Sequence, residues 1–107
     1  MDEIILTQED NNSTISLDVG DILKIILTEN STTGYTWEVD GDLAVQLQQA
    51  SSEQKKTFKG SAGGSGKRLL IYKVVNAGNG ILSLKYLQPW TGDSSIENRF
   101  KIAFEVI

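Results

Sequence analysis

The side chains here that can move a proton or hold an ion are mainly carboxylates. There are 14 Asp and Glu against 10 Lys and Arg, with no histidine and no cysteine. Without imidazole or thiol, Ser-His-Asp and Cys-His catalysis, His/Cys zinc sites and the usual proton shuttle near neutral pH are all excluded. Paired carboxylates and oxygen-ligand metal sites remain as chemical options. The carboxylates cluster in turns and at strand ends, as in Glu9-Asp10 and Asp40-Gly41-Asp42. No apolar residues surround them to raise a pKa, and no EF-hand spacing exists. They read as solvated turns. Neither an enzyme nor a cofactor is expected.

Three stretches are better suited to binding than to reaction. Asn30-Ser31-Thr32-Thr33-Gly34-Tyr35-Thr36-Trp37 joins two β-prone segments through small hydroxyl residues and a glycine. Ser and Thr hydroxyls bond nearby backbone and glycine accepts φ > 0, so the stretch is a turn of defined shape. Gly60-Ser61-Ala62-Gly63-Gly64-Ser65-Gly66 is a glycine segment. It lets backbone approach another surface, or it serves as a plain linker. It is not a phosphate cradle, since no helix follows and the GKS/T spacing is missing. Trp90, after Gln88 and Pro89, is either a lid folded on the core or an anchor for a partner, where tryptophan is over-represented.

The elements that must position these stretches are strands. The chain has 107 residues, 39% of them hydrophobic, with one proline and ten glycines. It is read as one domain over 1–107, able to bury its own core without disulfides. Alternation marks Ile15, Leu17 and Val19, then Leu23, Ile25 and Leu27, then Leu43, Val45 and Leu47. The same period recurs in Leu82, Leu84 and Tyr86, and in Phe100, Ile102, Phe104 and Val106. Strands are predicted over 13–19 (with 4–7 as an extension), 22–28, 35–39, 43–49, 67–75, 81–87 and 98–106. Ala50 to Lys59 is polar and reads as a poorly packed edge or loop. Asn76-Ala77-Gly78-Asn79-Gly80 reads as a hairpin turn. With no sustained 3.6-residue repeat, the fold class is all-β: an antiparallel sandwich, immunoglobulin-like, of about seven to eight strands. Trp37, in the chain's first third, suits the centre of such a core. Successive strands alternate in direction, so turns two strands apart emerge together. The three stretches are therefore expected at one end.

A net charge of −4 and the lack of a basic stripe argue against nucleic acid and anionic membrane surfaces. No apolar run reaches the ~20 residues that span a bilayer, so no membrane insertion is expected. Met1-Asp2-Glu3 lacks the basic and apolar regions of a signal peptide. The expected location is the cytoplasm, or outside the cell with a signal removed, and the expected state is a monomer. Asn30-Ser31-Thr32, Asn11-Asn12-Ser13 and Asn12-Ser13-Thr14 match the N-glycosylation pattern and read as chance matches, or as sites that never meet the machinery.

Taken together, Asn30-Ser31-Thr32-Thr33-Gly34-Tyr35, Gly63-Gly64-Ser65-Gly66 and Gln88-Pro89-Trp90 resemble the NPTTG[YF], GxGG and RPW loops of the chagasin family of inhibitors of papain-like cysteine proteases. Thr91-Gly92 and Arg99-Phe100 extend the resemblance, and order and spacing agree across nearly the whole chain. It implies a reversible, tight-binding inhibitor that plugs the protease cleft without being cleaved. The first loop would reach the catalytic Cys–His centre, with Thr33 nearest to it. The Gly63–Gly66 loop would lie along the non-primed subsites, and Trp90 would pack on the primed side. Ser31 stands where the family usually has proline, and Gln88 where it usually has arginine. The glycine loop admits a second register, Gly64-Ser65-Gly66-Lys67. An adhesion or carbohydrate-binding module of immunoglobulin type, using the same loops, is the alternative.

Overall fold

The computed structural model describes residues 2–30, 33–56 and 65–107. Eight strands build two four-stranded sheets: β1 (Glu3–Thr7), β2 (Thr14–Leu17), β3 (Ile22–Asn30), β4 (Thr36–Val39), β5 (Leu47–Lys56), β6 (Ser65–Val74), β7 (Gly78–Leu87) and β8 (Asn98–Val106). One sheet runs β1-β3-β6-β5 and the other β2-β8-β7-β4. The period-2 faces read from the sequence close on each other. Leu23, Ile25 and Leu27 of β3 join Leu70, Tyr72 and Val74 of β6 on one side. Leu82 and Leu84 of β7 join Phe100, Ile102, Phe104 and Val106 of β8 on the other, all in one buried cluster. Trp37 belongs to the same cluster, as expected for such a sandwich. Gly80 is needed for close packing, because a Cβ there would stand 2.6 Å from the Phe104 ring.

Three expectations about local structure are corrected, and one left between edge and loop is decided for the edge. Residues 4–7 do not prolong the next strand. They form β1, which pairs parallel with β3, while β2 pairs parallel with β8. The chain crosses from one sheet to the other between them, so two ladders of the sandwich are parallel and four antiparallel. Second, the strand predicted over 43–49 starts only at Leu47, after a turn in which Leu47 N–H donates to Ala44 O. Val45, in the apparent alternation, is 75% exposed.

Third, the polar stretch read as edge or loop supplies most of β5, an edge strand laddered along β6, with a register shift between Gln49 and Ser51. Its polar sequence suits an edge, where apolar residues would invite pairing with other chains. Fourth, residues 76–80 do not close a hairpin. β6 and β7 lie in different sheets, and Gly78 and Gly80 are already in the β7–β8 ladder.

Asp21 holds the corner between β2 and β3. Its carboxylate accepts the backbone N–H of Asp18 at 2.8 Å and of Asp2 at 3.1 Å. These two bonds, the Asp18 one first, hold its carboxyl below the ordinary value near 3.8, against the opposing effect of burial. A depressed native pKa stabilises the fold fully above the unfolded value and loses that contribution as pH falls through the native one. The melting temperature is therefore expected to drop below about pH 4. In Asp21→Asn part of that acid-side drop should be absent, as thermal melts between neutral and strongly acidic pH would show. Identical acid profiles for the two proteins would contradict the assignment.

Candidate functional site

The turn after β3 is built by its own residues. Thr33 Oγ1 donates to Asn30 O at 2.9 Å and accepts from Tyr35 N–H at 3.4 Å. Gly34 sits at φ 79°, a conformation that disfavours any side chain. The Asn30 N–H donates to the Tyr86 hydroxyl on β7 at 3.0 Å. Tyr86 in turn lies against both Tyr35 and Trp37, with ring centroids 5.3 and 5.0 Å apart. Burial, then the neighbouring Glu97 carboxylate, raises the Tyr35 hydroxyl pKa. The turn is thus footed on an aromatic stack at the end of the second sheet.

The turn after β7 is equally self-contained. Gln88 O accepts from Thr91 N–H and Gly92 N–H at 3.0 and 3.1 Å, with Pro89 and Trp90 at the tip. Proline, with φ preset near −65°, favours the first central position of such a turn. Ser95 Oγ accepts the Gln88 N–H at 2.9 Å and so ties the base of the loop to the short 3-10 turn Asp93–Ser95.

The two turns meet. Gln88 Nε2 donates to Thr33 O at 3.2 Å. The indole of Trp90 lies over Gly34, so near that a Cβ on Gly34 would fall 2.1 Å from Trp90 Cη2. Even so, Trp90 is 72% exposed, among the most exposed large apolar side chains described. It covers a loop, not the core. Gln88, standing where the resemblance implies arginine, provides the polar link between the loops.

The glycine stretch divides. Ser31, Thr32, Gly63 and Gly64 lie outside the described residues. Ser65 and Gly66 open β6 and pair with Asn30 and Glu29 of β3, so the chain leaves the 57–64 connection directly beside the first turn. Among the sequence-predicted residues, Asn30, Thr33, Gly34, Tyr35, Ser65, Gly66, Gln88, Pro89 and Trp90 therefore stand at one end of the sandwich. The edge they form offers backbone groups, one exposed indole and small polar side chains.

A feature that the sequence reading passed over lies just beneath. The buried Glu29 carboxylate is ion-paired with Arg68, Oε1 to Nη2 at 2.6 Å and Oε2 to Nε at 3.0 Å. Its signal was available. Glu29 continues the inward series Leu23, Ile25, Leu27, and Arg68 precedes Leu70, Tyr72 and Val74 in the inward register of β6. A charge in a core register needs a partner.

A model of the Chagasin family peptidase inhibitor I42 matches residues 16–104. The chain belongs to the chagasin family. That is a family of inhibitors, not of enzymes. The chain is 29% identical over 101 residues to chagasin of Trypanosoma cruzi, covering 91% of this chain and 92% of the relative. It is 32% identical over 92 residues to amoebiasin-1 of Entamoeba histolytica, covering 84% and 87%. The crystal structure of the cysteine protease inhibitor EhICP2 from Entamoeba histolytica superposes with a TM-score of 0.88 over 100% of this chain and 97% of that one, at 22% identity. That likeness concerns the fold. It places the chagasin-family chain among β-sandwiches of the same architecture.

Proposed function

We propose that the protein is a reversible, tight-binding inhibitor of papain-like cysteine proteases, using the loop edge as a wedge. The observation that carries this reading is the joint between the two turns: Trp90 stacked on Gly34, and Gln88 bonded to Thr33. Two loops already locked together lose little conformational entropy on docking, which favours affinity. The slim Thr33-Gly34 turn enters a cleft without setting a carbonyl in line for attack, and Trp90 offers apolar area beside it. The proposed contact residues are Asn30, Ser31, Thr32, Thr33, Gly34, Tyr35, Gly63, Gly64, Ser65, Gly66, Gln88, Pro89 and Trp90. Contacts of about 800 Å² per partner are usual for protease–inhibitor pairs. Membership of a family of peptidase inhibitors supports the same reading.

Titrating papain and cathepsin L with the protein should abolish peptide-substrate turnover near one equivalent. Mass spectrometry after prolonged incubation should show an uncut inhibitor, and dilution should restore activity. Full activity of both enzymes under a large molar excess would sink the proposal.

A further inference from the structure

The Glu29 carboxylate gathers donors from strands on both sides of two connections. Trp37 N–H and the Thr36 hydroxyl of β4 each reach Oε2 at 3.0 Å, and Gln54 Nε2 of β5 reaches Oε1 at 2.9 Å. Arg68 of β6 supplies the ion pair and also contacts Ser52 Oγ and Thr36 Oγ1 at 3.2 Å. Glu29 itself is 1% exposed and is the last residue but one of β3. The β3–β4 pair brackets the turn containing Thr33 and Gly34, and the β5–β6 pair brackets the 57–64 connection. β4 belongs to one sheet and β5 and β6 to the other, so one carboxylate spans the mouth of the sandwich.

We infer that Glu29 is a positioning residue for inhibition, acting through Arg68, Thr36 and Trp37 to set the spacing of the two loop bases. The inference rests on the proposed protease inhibition. A core built only for stability would be served as well by apolar side chains, because replacing a buried ion pair by well-packed hydrophobics is often neutral or favourable. A multiply bonded carboxylate, by contrast, fixes direction as well as distance, and bidentate pairing with Arg adds geometric specificity. Loops whose bases shift lose complementarity after encounter, so the effect belongs in dissociation. Related complexes differ mostly in off-rate.

The test compares wild type, Glu29→Gln, Arg68→Lys and the core control Ile102→Val against papain by surface-based kinetics. The temperature is one at which circular dichroism shows each protein fully folded. Glu29→Gln should raise the dissociation rate about tenfold with the association rate within about threefold, and Arg68→Lys should raise it about threefold. Ile102→Val, whose side chain is buried in β8 away from the loops, should leave both rates unchanged despite a lower melting temperature. Unchanged dissociation for folded Glu29→Gln overturns the inference, as does an equal rise for Ile102→Val. Should Glu29→Gln fail to fold, unchanged dissociation for Arg68→Lys overturns it instead. If wild type does not bind papain at all, the proposed function falls first, so the two failures are distinct.

Discussion

Replacing Trp90 with alanine is expected to raise the inhibition constant for papain by roughly 30- to 1,000-fold, about 2–4 kcal/mol, the range of an interface anchor. The fold should barely register the change. Trp90 is 72% exposed and stacks on a loop glycine, so the loss within the free protein is that of a surface substitution, within about 0.5 kcal/mol. That corresponds to a melting shift under about 4 °C for a domain of this size. Inhibition titrations and thermal melts on one preparation decide between anchor and lid. A large fall in melting temperature with an unaltered inhibition constant would make the indole a structural cover and remove it from the binding edge.

Gly34→Ala should weaken inhibition by about 100-fold or more, within the range of an interface anchor, and it isolates a different cause. At φ 79° an alanine carries a backbone cost of about 1–2 kcal/mol, and its methyl would clash with the indole, 2.1 Å from Trp90 Cη2. The indole must swing away or the turn must open. Either loses the joint between the loops. The same strain should lower the melting temperature by about 4–12 °C. In a Trp90→Ala background the steric part of the cost disappears and only the backbone part remains. The two substitutions should therefore be non-additive in binding, with a coupling of about 1 kcal/mol or more, as expected for residues in contact. Strict additivity would show that the stacking of Trp90 on Gly34 plays no part in recognition.

Both predictions depend on contacts between turns about 55 residues apart in sequence, as Thr33 and Gln88 are. No local pattern could have announced them. What could be read locally was the type and place of each turn, because glycine, proline and short hydroxyl side chains constrain their own backbone. The inward faces of β3 and β8 were legible for a similar reason. Strand side chains alternate, and burial on one face imprints that alternation on the sequence. Where the imprint was weak, the strands were less legible. β5 is an edge strand with polar residues on much of its length, and its strand character comes from the ladder offered by β6. Leu43 and Val45 showed the alternation without the strand, since a turn before Leu47 breaks the ladder there.

The amino-acid sequence alone determined the class of the fold and narrowed the chemistry open to the protein. Apolar residues at a period of two specify a β-sandwich, and the lack of imidazole and thiol leaves out the catalytic sets built on them. These are properties of residue type and spacing, which survive without knowledge of neighbours. The tertiary structure decided how the binding edge is assembled: Trp90 on Gly34, Gln88 on Thr33, and the buried Glu29–Arg68 pair below them. It also decided the parallel pairing of β1 and β2. All of these are contacts between segments distant in sequence. Such contacts are selected by the closing of two sheets on one core, and a charge in a core register finds its partner only there.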